Sequence, residues 1–448
     1  MRCFLGACVF VSILILPGCG SEDGWTQQPP PFGLLRVVNT ISDSSSLNVD
    51  YETQRIGFVD FAESTAFIQV LPDVTRTLLV SFVRDNQLVG LISQDIEIGI
   101  DHLTTVIIAG TMSEPLLLIV EDLPVDFPED NTLAELRFVH AATSLPSSVD
   151  FHLTAADAPA GAPLVTLPLN AVSELIDFEE NTESRLQTFI TGQPDPFWDS
   201  GSFPVPASSR PLLILVDYFG PGDTEARVIS VSGIGTAMFP NEVLDSSRRL
   251  ANMNADITSV DIYLDEELIG EDMLFGDISG FDDIDPGTYT LVVTTANSVE
   301  DVITEDTFTA VSGEFQTIVT AGIEGERSII TTIDDFRRVT DRATLAITNS
   351  SPAAGSVDVY ILLAGQSVDD VLPAITALFY PSHSRLRLVA GTYDVVFTEP
   401  GTKTITIGPE RLTLESLGLY RIYMTDSAGG GAPVNIILGD DFDPPFSP

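Results

Sequence analysis

The pattern of apolar and polar positions predicts short β-strands along nearly the whole chain. The clearest stretch is Asp285–Thr294, in which Tyr289, Leu291 and Val293 fall on one face and threonines fall largely on the other. The same alternation returns later in Ala390–Thr398. A period of two residues is typical of a half-buried strand, because successive side chains point to opposite faces. Similar runs separated by turn residues predict an all-β fold of the sandwich type.

A short motif recurs four times at nearly constant spacing. It reads N-V-D-Y or S-V-D followed by an apolar or aromatic residue, and each copy follows an apolar run. The spacings between successive aspartates are 100, 111 and 97 residues. A recurrence at this interval indicates one structural unit copied four times. The repeated aspartates are Asp50, Asp150, Asp261 and Asp358.

We therefore predict four tandem immunoglobulin-like β-sandwich modules of about 100 residues each. The predicted bounds are 34–123, 134–233, 248–336 and 342–440. Module 2 is the least regular copy, and we predict an insertion in it from Ala155 to Ser202, a stretch rich in proline, alanine and acids. The acidic, proline-containing stretch Glu121–Thr132 reads as a linker, and residues 441–448 form an acidic tail.

Two copies of the sequence G-T-Y open strands in modules 3 and 4, at Tyr289 and Tyr393. In immunoglobulin-like sandwiches, the phenol of such a corner tyrosine ties down a loop. We predict that structural role for both tyrosines. For the repeated aspartates we predict turn caps or acceptors of backbone N–H groups. A metal-ligand role would require a second carboxylate at a fixed offset in every copy, and the sequence shows none.

The N-terminal sequence predicts where the protein is located in the cell. The apolar stretch Phe4–Ile15 has twelve residues, which suits a secretory signal and is too short to span a bilayer. Its ending, Leu-Pro-Gly-Cys, resembles the bacterial lipobox, although proline stands where that signal usually has a small residue. The resemblance implies that residues 1–18 are a signal peptide and that Cys19 receives a lipid. Residues 19–33 are then the lipidated cysteine and a flexible tether.

Glycine, and no aspartate, follows Cys19. By resemblance to Gram-negative sorting rules, this points to the outer membrane. We therefore predict a protein that is secreted across the inner membrane and held by its lipid in the outer membrane. Whether it faces the periplasm or the outside stays open at this point.

The charge of the chain is strongly negative, with 65 acidic against 20 basic residues and a net charge of −45. A field of that sign repels phosphate backbones, so we predict no nucleic-acid partner. Solubility in salty water explains the excess of acids, and a surface that collects divalent cations or basic partners is the alternative. All three cysteines lie within the first 19 residues, so each module must be held together by its own hydrophobic core.

These elements together resemble a known family. An opening R-V-x-[HN], a loop, S-V-D-[IV]-Y and then [PA]-G-T-Y resemble the bacterial extracytoplasmic family called domain of unknown function 4397. The family's usual histidine stands here at His140, and the matching positions hold Asn39, Asn252 and Asn349. The resemblance is strongest in modules 3 and 4. It implies secretion and tandem β-rich modules, and it implies no activity.

The densest acidic cluster supplies the calcium candidates of the chain. Calcium prefers several oxygens that converge from one loop. The acidic loop of module 3, which contains this cluster, lacks the full D-x-D-x-D-G…E arrangement of a calcium loop and occurs in one repeat. We therefore predict no metal and no cofactor. His140 and His152, without a cysteine nearby, make a poor zinc site. The calcium candidates are Asp277, Asp282, Asp283 and Asp285.

The chain carries no H-E-x-x-H, G-x-S-x-G or phosphate-binding glycine motif, so we predict no enzymatic activity. The predicted function is a non-catalytic structural or protein-interaction role in the cell envelope, with the modules presented away from the membrane. One alternative is glycan binding, for which Phe197 and Trp198 are the candidate aromatic residues. A hydrolase is the second, less favoured alternative, and it requires a pocket with two facing carboxylates. The expected partners are the membrane, through the lipid, and an unknown protein or glycan.

Overall fold

The computed structural model describes residues 31–84, 87–218, 226–233 and 235–440. The predicted signal peptide, the predicted lipidation site Cys19 and the predicted acidic tail 441–448 therefore lie outside the described residues. Within the described ranges the regular structure is β-strand, apart from one 3-10 turn at Val368–Asp370. None of these residues belongs to a helix with the length and hydrophobicity needed to cross a bilayer. The predicted all-β class with tandem sandwich modules is confirmed.

Module 1 shows the plan of every module. Its strands are β1 (Gly33–Asn39), β2 (Leu47–Tyr51), β3 (Gln54–Val59), β4 (Ile68–Val70), β5 (Arg76–Arg84), β6 (Gln87–Ile96), β7 (Leu103–Gly110) and β8 (Pro115–Asp122). The first sheet has the order β4-β1-β7-β8, and the second sheet has the order β3-β2-β5-β6. Strands β1 and β7 are parallel, and the other neighbours are antiparallel.

Module 2 follows the plan with one split strand and one added strand. Its strands are β9 (Leu133–His140), β10 (Ser148–Ala155), β11 (Val165–Pro168), β12 (Ala171–Val172), β13 (Ile176–Glu179), β14 (Asn181–Ile190), β15 (Trp198–Val205), β16 (Leu212–Asp217), β17 (Ala226–Ser232) and β18 (Gly235–Met238). Its first sheet has the order β12-β9-β16-β17-β18, with β13 also paired to β9. Its second sheet has the order β11-β10-β14-β15.

Modules 3 and 4 repeat the strand order without additions. Module 3 contains β19 (Ser246–Asn254), β20 (Ser259–Leu264), β21 (Glu267–Leu274), β22 (Asp282–Ile284), β23 (Gly287–Thr295), β24 (Val302–Ala310), β25 (Phe315–Gly322) and β26 (Ser328–Asp334). Module 4 contains β27 (Arg342–Asn349), β28 (Ser356–Leu363), β29 (Ile375–Phe379), β30 (Ser382–Val389), β31 (Gly391–Thr398), β32 (Ile405–Leu414), β33 (Leu419–Thr425) and β34 (Asn435–Asp440). The 3-10 turn lies between β28 and β29.

The immunoglobulin-like description holds for the two-sheet sandwich and not for the strand order. An immunoglobulin constant-type sandwich places strand one beside strand two, in an ABED sheet that faces a CFG sheet. Here the first strand of each module lies between the fourth and the seventh, and it is parallel to the seventh. The two sheets are also equal in size in modules 1, 3 and 4.

The predicted insertion Ala155–Ser202 is a correction, because most of it belongs to the sandwich. It contains β11 to β14 and the start of β15, which complete both sheets. Prolines suggested a loop, but Pro168 lies on the edge strand β11, where a missing N–H costs no ladder hydrogen bond. The longest loops of this stretch are 156–164 and 191–197. Module 2 also continues to Met238, past its predicted end.

Alternating side chains from the two sheets fill each sandwich. In module 1 the fully buried set includes Leu35 and Ile108 from the first sheet and Val49 and Val80 from the second. Burial of one such side chain stabilises the fold by about 1.5–3 kcal/mol. The other three modules have equivalent clusters.

A buried polar residue at the end of the first strand ties the two sheets together. In three modules it is an asparagine whose side-chain carbonyl accepts the N–H two residues later, and whose amide donates to a carbonyl on the third strand. For Asn252 and Met273 that second bond is 2.8 Å. Asn39 and Asn349 repeat it. In module 2 the position holds His140, whose Nε2 lies 3.2 Å from a loop carbonyl.

Modules 1 and 2 pack through the outer surfaces of their first sheets. Val38 and Ile107 of module 1 join Ile214 and Ile229 of module 2 in one buried cluster. Charged groups at the margin complement it, because Arg137 of module 2 pairs with the Asp122 carboxylate of module 1. The modules are therefore packed against each other through a hydrophobic interface.

Modules 3 and 4 pack in the same way. Met253 and Val319 of module 3 cluster with Tyr423 of module 4. Arg421 of module 4 pairs with Asp334, the last residue of β26. The acceptors in the two pairs occupy the same place, because Asp122 and Asp334 each end the last strand of their module.

The segment 335–342, here called the junction segment, connects the two pairs of modules. Arg337 donates to the carbonyls of Ser42 at 3.0 Å and Ser44 at 2.8 Å in module 1. Arg342 donates to the Val83 carbonyl of module 1 at 2.6 Å. Modules 2 and 3 meet separately, through an ion pair between Arg227 and Glu314, and Ser312 of module 3 donates to Glu242 in the segment that links the two modules. The four modules thus form a closed circuit of contacts.

Charges are buried at the junction segment. Burial pushes the pKa of Asp335 upward, but the guanidiniums of Arg387, Arg385 and Arg337 outweigh it, so the pKa lies below its ordinary value. Burial lowers the pKa of Arg337 to about 10. Module 2 contributes Tyr218 to this region, and burial raises its pKa to about 12. A buried charge is costly unless it is paired, so Asp335 and its arginines hold each other in place.

Candidate functional site

In modules 3 and 4 the repeated aspartates hold backbone together. Asp261 accepts the N–H of Asp272 at 2.7 Å and that of Asn297 at 2.8 Å. Asp358 repeats this geometry with Ala377 at 2.7 Å and Gly401 at 2.8 Å. In both modules the ladder beside the aspartate is interrupted by a bulge. The first donor has a positive φ, near 50° in both, so the carboxylate satisfies an N–H that the bulge leaves unpaired.

In modules 1 and 2 the repeated aspartates bond to side chains instead. Asp50 pairs with Arg55 at 2.5 Å. Asp150 accepts from the hydroxyls of Thr166 at 2.6 Å and Thr191 at 3.0 Å, both through Oδ1. The ladder between β10 and β11 has no bulge, so no unpaired N–H is presented to Asp150. The carboxylate of module 2 is therefore partly free of the structural role that its equivalents have in modules 3 and 4.

The two corner tyrosines have matching hydrogen bonds. The hydroxyl of Tyr289 donates to the carbonyl of Asp285 at 2.7 Å, and that of Tyr393 donates to the carbonyl of Val389 at 2.7 Å. Each bond spans four residues and closes the loop before the fifth strand of its module. This is the loop-tying geometry of a tyrosine corner.

The calcium candidates are held apart from one another. Asp282 and Asp283 are neighbours on β22, so their side chains point to opposite faces. Asp277 accepts the Leu274 N–H, and Asp283 accepts from the Ser247 hydroxyl. Among the described residues there is no group of three or more histidine, cysteine, aspartate or glutamate side chains that could hold a metal ion.

An acidic cleft in module 3 bears on the hydrolase alternative. It is lined by Asp265, Glu267, Asp283 and Asp285, together with Arg248. A glycosidase keeps one carboxylate protonated at neutral pH by burying it. These carboxylates, and that of Asp245, which also lines the cleft, are all exposed to solvent. Asp265 also accepts the N–H of a neighbouring strand. The cleft therefore lacks the contrast between two carboxylates on which that mechanism depends.

The aromatic candidates for glycan binding are corrected by the structure, because both are buried. Trp198 has no exposed surface and Phe197 has 8%. Both belong to the core of module 2, where Trp198 packs edge-on against Phe239. As the first residue of β15, Trp198 points inward by strand alternation, which the predicted insertion hid. An aromatic platform around Trp198 therefore does not exist.

The two histidines of module 2 lie on opposite sides of a sheet. His140 is fully buried, and burial lowers its pKa, opposed by a backbone hydrogen bond to Pro146 and by Asp217. His152 follows Asp150 by two residues and so lies on the outer face of the second sheet. There its ring packs 4.6 Å from that of Phe189. The two imidazoles do not meet, and the outer face carries the more accessible chemistry.

A groove of about 620 Å³ crosses this outer face of module 2. Its floor comes from β10 and β14, with Asp150, His152, Gln187 and Arg185. The loops 156–164 and 191–197 form its walls. Strand pairing places Asp150 opposite Phe189 and His152 opposite Gln187. The polar groups therefore follow one another along the strands.

A buried carboxylate supports the floor of the groove. Asp199 has 1% of its surface exposed and pairs with Arg185, with an Nε–Oδ1 distance of 2.9 Å. It also accepts from the Gln187 amide at 2.7 Å. The hydrogen bond to Asp199 raises the pKa of Arg185. Asp199 thus fixes the orientation of both side chains before any ligand arrives.

The same face of module 4 is covered by the chain itself. Here the positions of His152 and Gln187 are taken by Tyr360 and Val396, which are paired across β28 and β31. The 3-10 turn between β28 and β29 places Val368 on this apolar patch. Lys403 donates to two carbonyls of that turn region and lies 4.5 Å from the Tyr360 ring centroid.

Residues 247–360 match the model of a family described as Domain of unknown function (DUF4397). The match covers module 3 from its second residue, the first strand of module 4 and part of the second strand, 114 of the 448 residues. The resemblance seen in the repeat motif is thereby confirmed for this part of the chain. The family description names no activity.

Two other comparisons add no function. No curated protein matches the chain. Among solved structures, the Bacillus anthracis TIE protein aligns at 10% identity over 88% of this chain and 68% of its own, with a TM-score of 0.15. A score of that size carries no inference.

Proposed function

We infer that the protein is a lipid-anchored envelope protein with a non-catalytic, protein-interaction role. The observation that carries this is the closed circuit of module contacts, in which the junction segment bonds to module 1 through Arg337 and Arg342. Such packing produces one body of fixed shape. A body of this kind suits the presentation of a surface to a partner.

The N-terminal sequence supports the proposed lipid anchoring in the cell envelope. A twelve-residue apolar stretch followed by a lipobox-like ending would place a lipid on Cys19. The tether up to residue 33 would then separate the first sandwich from the bilayer. A protein that carries more than one acyl chain is anchored stably in the bilayer, whereas a protein with a single acyl chain binds the bilayer only reversibly.

The non-catalytic part rests on the chemistry of the described surfaces. The acids of the module 3 cleft are solvent-exposed, and the polar residues of the module 2 groove are arranged in a row rather than around one point. A row of donors and acceptors suits recognition of an extended ligand. Catalysis usually requires a nucleophile, a base and an orienting group within hydrogen-bond reach of one another.

The test combines anchorage with exposure. The full chain and Cys19→Ala are expressed in a Gram-negative host with an alkyne-tagged fatty acid. The wild type is expected to take up the label and to sediment with outer membranes, and Cys19→Ala is expected to do neither. Protease shaving of intact cells then reports the face.

Equal labelling of the two chains, or an unlabelled wild type, would overturn the anchorage. The interaction role is tested by cross-linking in intact cells of the source organism, followed by purification. A reproducible cross-linked protein partner is expected. If the chain is recovered only as free monomer, the interaction role is wrong.

A further inference from the structure

We propose that the module 2 groove binds a short, extended, basic peptide segment of a partner protein. The proposal rests on the interaction role above and adds the location and the chemistry of the contact. Four observations carry it: unpaired polar atoms on the floor, their spacing, the occupant of the same face in module 4, and charge.

Polar atoms on the floor lack partners. His152 is 7% exposed, and its Nδ1 has no hydrogen bond to any described residue. Beyond the residues that line the groove, two positions further along β10, Oγ1 of Thr154 also has no hydrogen bond to any described residue. A buried polar atom without a partner costs free energy, because it has lost its hydrogen bond to water. A ligand that supplies hydrogen bonds at this depth would recover that cost.

The charged groups at the two ends keep free capacity. Asp150 uses Oδ1 for both threonine hydroxyls, and no described residue donates to its Oδ2. The side chain of Arg185 is 38% exposed and spends one edge of its guanidinium on Asp199. The remaining N–H groups of Arg185 suit peptide carbonyls, and Oδ2 of Asp150 suits a cation.

The spacing of these groups fits an extended chain. Asp150, His152 and Thr154 lie two residues apart on β10, and Thr154 is opposite Arg185 on β14. At about 3.4 Å per strand residue, the row is about 14 Å long with a polar group every ~7 Å. An extended peptide places side chains on one face with the same period. About four ligand residues would lie over the floor.

Module 4 shows that this face of the fold accommodates a peptide. There the loop between the second and third strands lies on the sheet, with Val368 packed on Tyr360, Leu362 and Val396. In module 2 the corresponding loop, 156–164, borders the groove and leaves the floor uncovered. The floor is also polar rather than apolar, so the occupant of module 2 must bring polar groups.

Charge and ring exposure select a basic peptide over a glycan. The net charge of −45 favours a cationic ligand, and Asp157 and Asp195 lie in the two loops that border the groove. Sugar recognition commonly uses an open aromatic face. The phenylalanine that lines the groove, Phe189, is only 7% exposed, and its ring is tilted against that of His152 rather than open to a sugar.

The experiment uses the chain from residue 20 onward, without lipid, and a phage-displayed library of random octapeptides as the probe. Enriched peptides are synthesised and titrated by fluorescence anisotropy against the wild type, Asp150→Asn and Asp50→Asn. The last variant is the matched control, because it removes the same charge at the equivalent position of module 1. Melting temperatures verify that both variants fold.

Enriched peptides are expected to carry lysine or arginine at a fixed position. Their affinity should fall at least tenfold with Asp150→Asn and change less than twofold with Asp50→Asn. Absence of enrichment, enriched peptides without basic residues, or equal loss in both variants would overturn the proposal. A glycan array bound by the wild type but not by Asp150→Asn, with no peptide binding, would reassign the groove to sugars.

The outcome is separable from the test of the proposed function. If Cys19 is not acylated but the peptides bind through Asp150, the anchorage is wrong and the groove stands. If Cys19 is acylated and no basic peptide binds, the groove proposal alone is wrong.

Discussion

The second sheets of modules 2 and 4 have the same strand order and opposite surfaces. In module 4 the outer face is apolar at Tyr360 and Val396, and the chain covers it with its own 3-10 turn. In module 2 the same positions hold His152 and Gln187, and the face is open. The comparison teaches that a loop of the fold can close this surface, and that polar substitution on the floor removes the hydrophobic gain that keeps the loop in place.

The difference extends to the supporting residues. Module 4 keeps the sheet-tying asparagine at Asn349 and the doubly bonded carboxylate at Asp358. Module 2 has His140 and Asp150 there, and neither makes the equivalent set of bonds. Module 2 has thus lost, at the same positions, the contacts that module 4 uses to stabilise itself. Its core includes a buried tryptophan instead.

The largest effect is expected in the core that replaces those contacts. Trp198→Ala should destabilise module 2 by about 3–5 kcal/mol, because it removes a fully buried side chain. Phe58→Ala is the control, since that ring is 64% exposed, and it should change stability by about 0.5 kcal/mol or less. Urea unfolding, monitored by far-UV circular dichroism so that the signal does not depend on the tryptophan, measures the free energy of unfolding of both variants. A mild effect of Trp198→Ala would mean that the ring is not part of the core.

The repeated aspartates give the next largest difference. Asp358→Asn should weaken two backbone hydrogen bonds to a charged acceptor and cost about 1.5–3 kcal/mol. Hydrogen exchange should accelerate at the amides of Ala377 and Gly401. Asp150→Asn keeps an acceptor for its two threonines and should cost less than about 1 kcal/mol. Equal costs in the two modules would remove the distinction between a structural and a partly free carboxylate.

Acid should affect the two modules differently at the junction segment. The pKa of Asp335 is lowered on folding from an ordinary value of 3.8. Its stabilising contribution is therefore present above about pH 4 and is lost as the pH falls through the folded-state pKa. Module 4 reaches Asp335 with Arg385 and Arg387, whereas module 2 brings the neutral Tyr218.

Hydrogen exchange at pH 7 and pH 3 measures this difference. Acid should expose the amides of β30, which carries both arginines, more than those of β16, next to Tyr218. Arg387→Gln should reduce the pH dependence at β30. If β30 and β16 respond equally, the Asp335 contacts do not hold module 4.

The smallest effect concerns the loop that covers module 4. Lys403→Gln should release the 3-10 turn and speed hydrogen exchange in residues 364–374, at a cost of about 0.5–1 kcal/mol. Arg411→Gln is the control in the same module, because its pair with Asp394 is solvent-exposed and should be worth less. Unchanged exchange in the turn would show that Val368 alone keeps it closed.

Much of the fold could be predicted because strands leave a local signal. Tyr289, Leu291 and Val293 alternate as the pleat requires, and the motif around Asp261 and Asp358 recurs with the unit it belongs to. The strand order could not be predicted in this way. Pairing of the first strand with the seventh joins residues about 70 apart, and no local pattern records that choice.

The candidate groove was hidden for a related reason. Prolines and acids in Ala155–Ser202 read as loop, although β14 within it carries Gln187 and Arg185 on the face opposite to Leu186 of the core. One signal was available, because module 2 lacks the G-T-Y sequence that opens the fifth strand of modules 3 and 4. The junction contacts of Arg337 had no signal at all, since they join residues nearly 300 apart.

The position of Lys403 has a practical consequence, because it is the only lysine in the sequence. An endoproteinase that cuts after lysine has one peptide bond to hydrolyse, Lys403–Thr404. The ammonium group must first leave the carbonyls of Val368 and Val371 to enter the protease's specificity pocket. The rate at which the native protein is cleaved at this bond therefore reports how often the module 4 face opens, and it can be measured on a gel without any label.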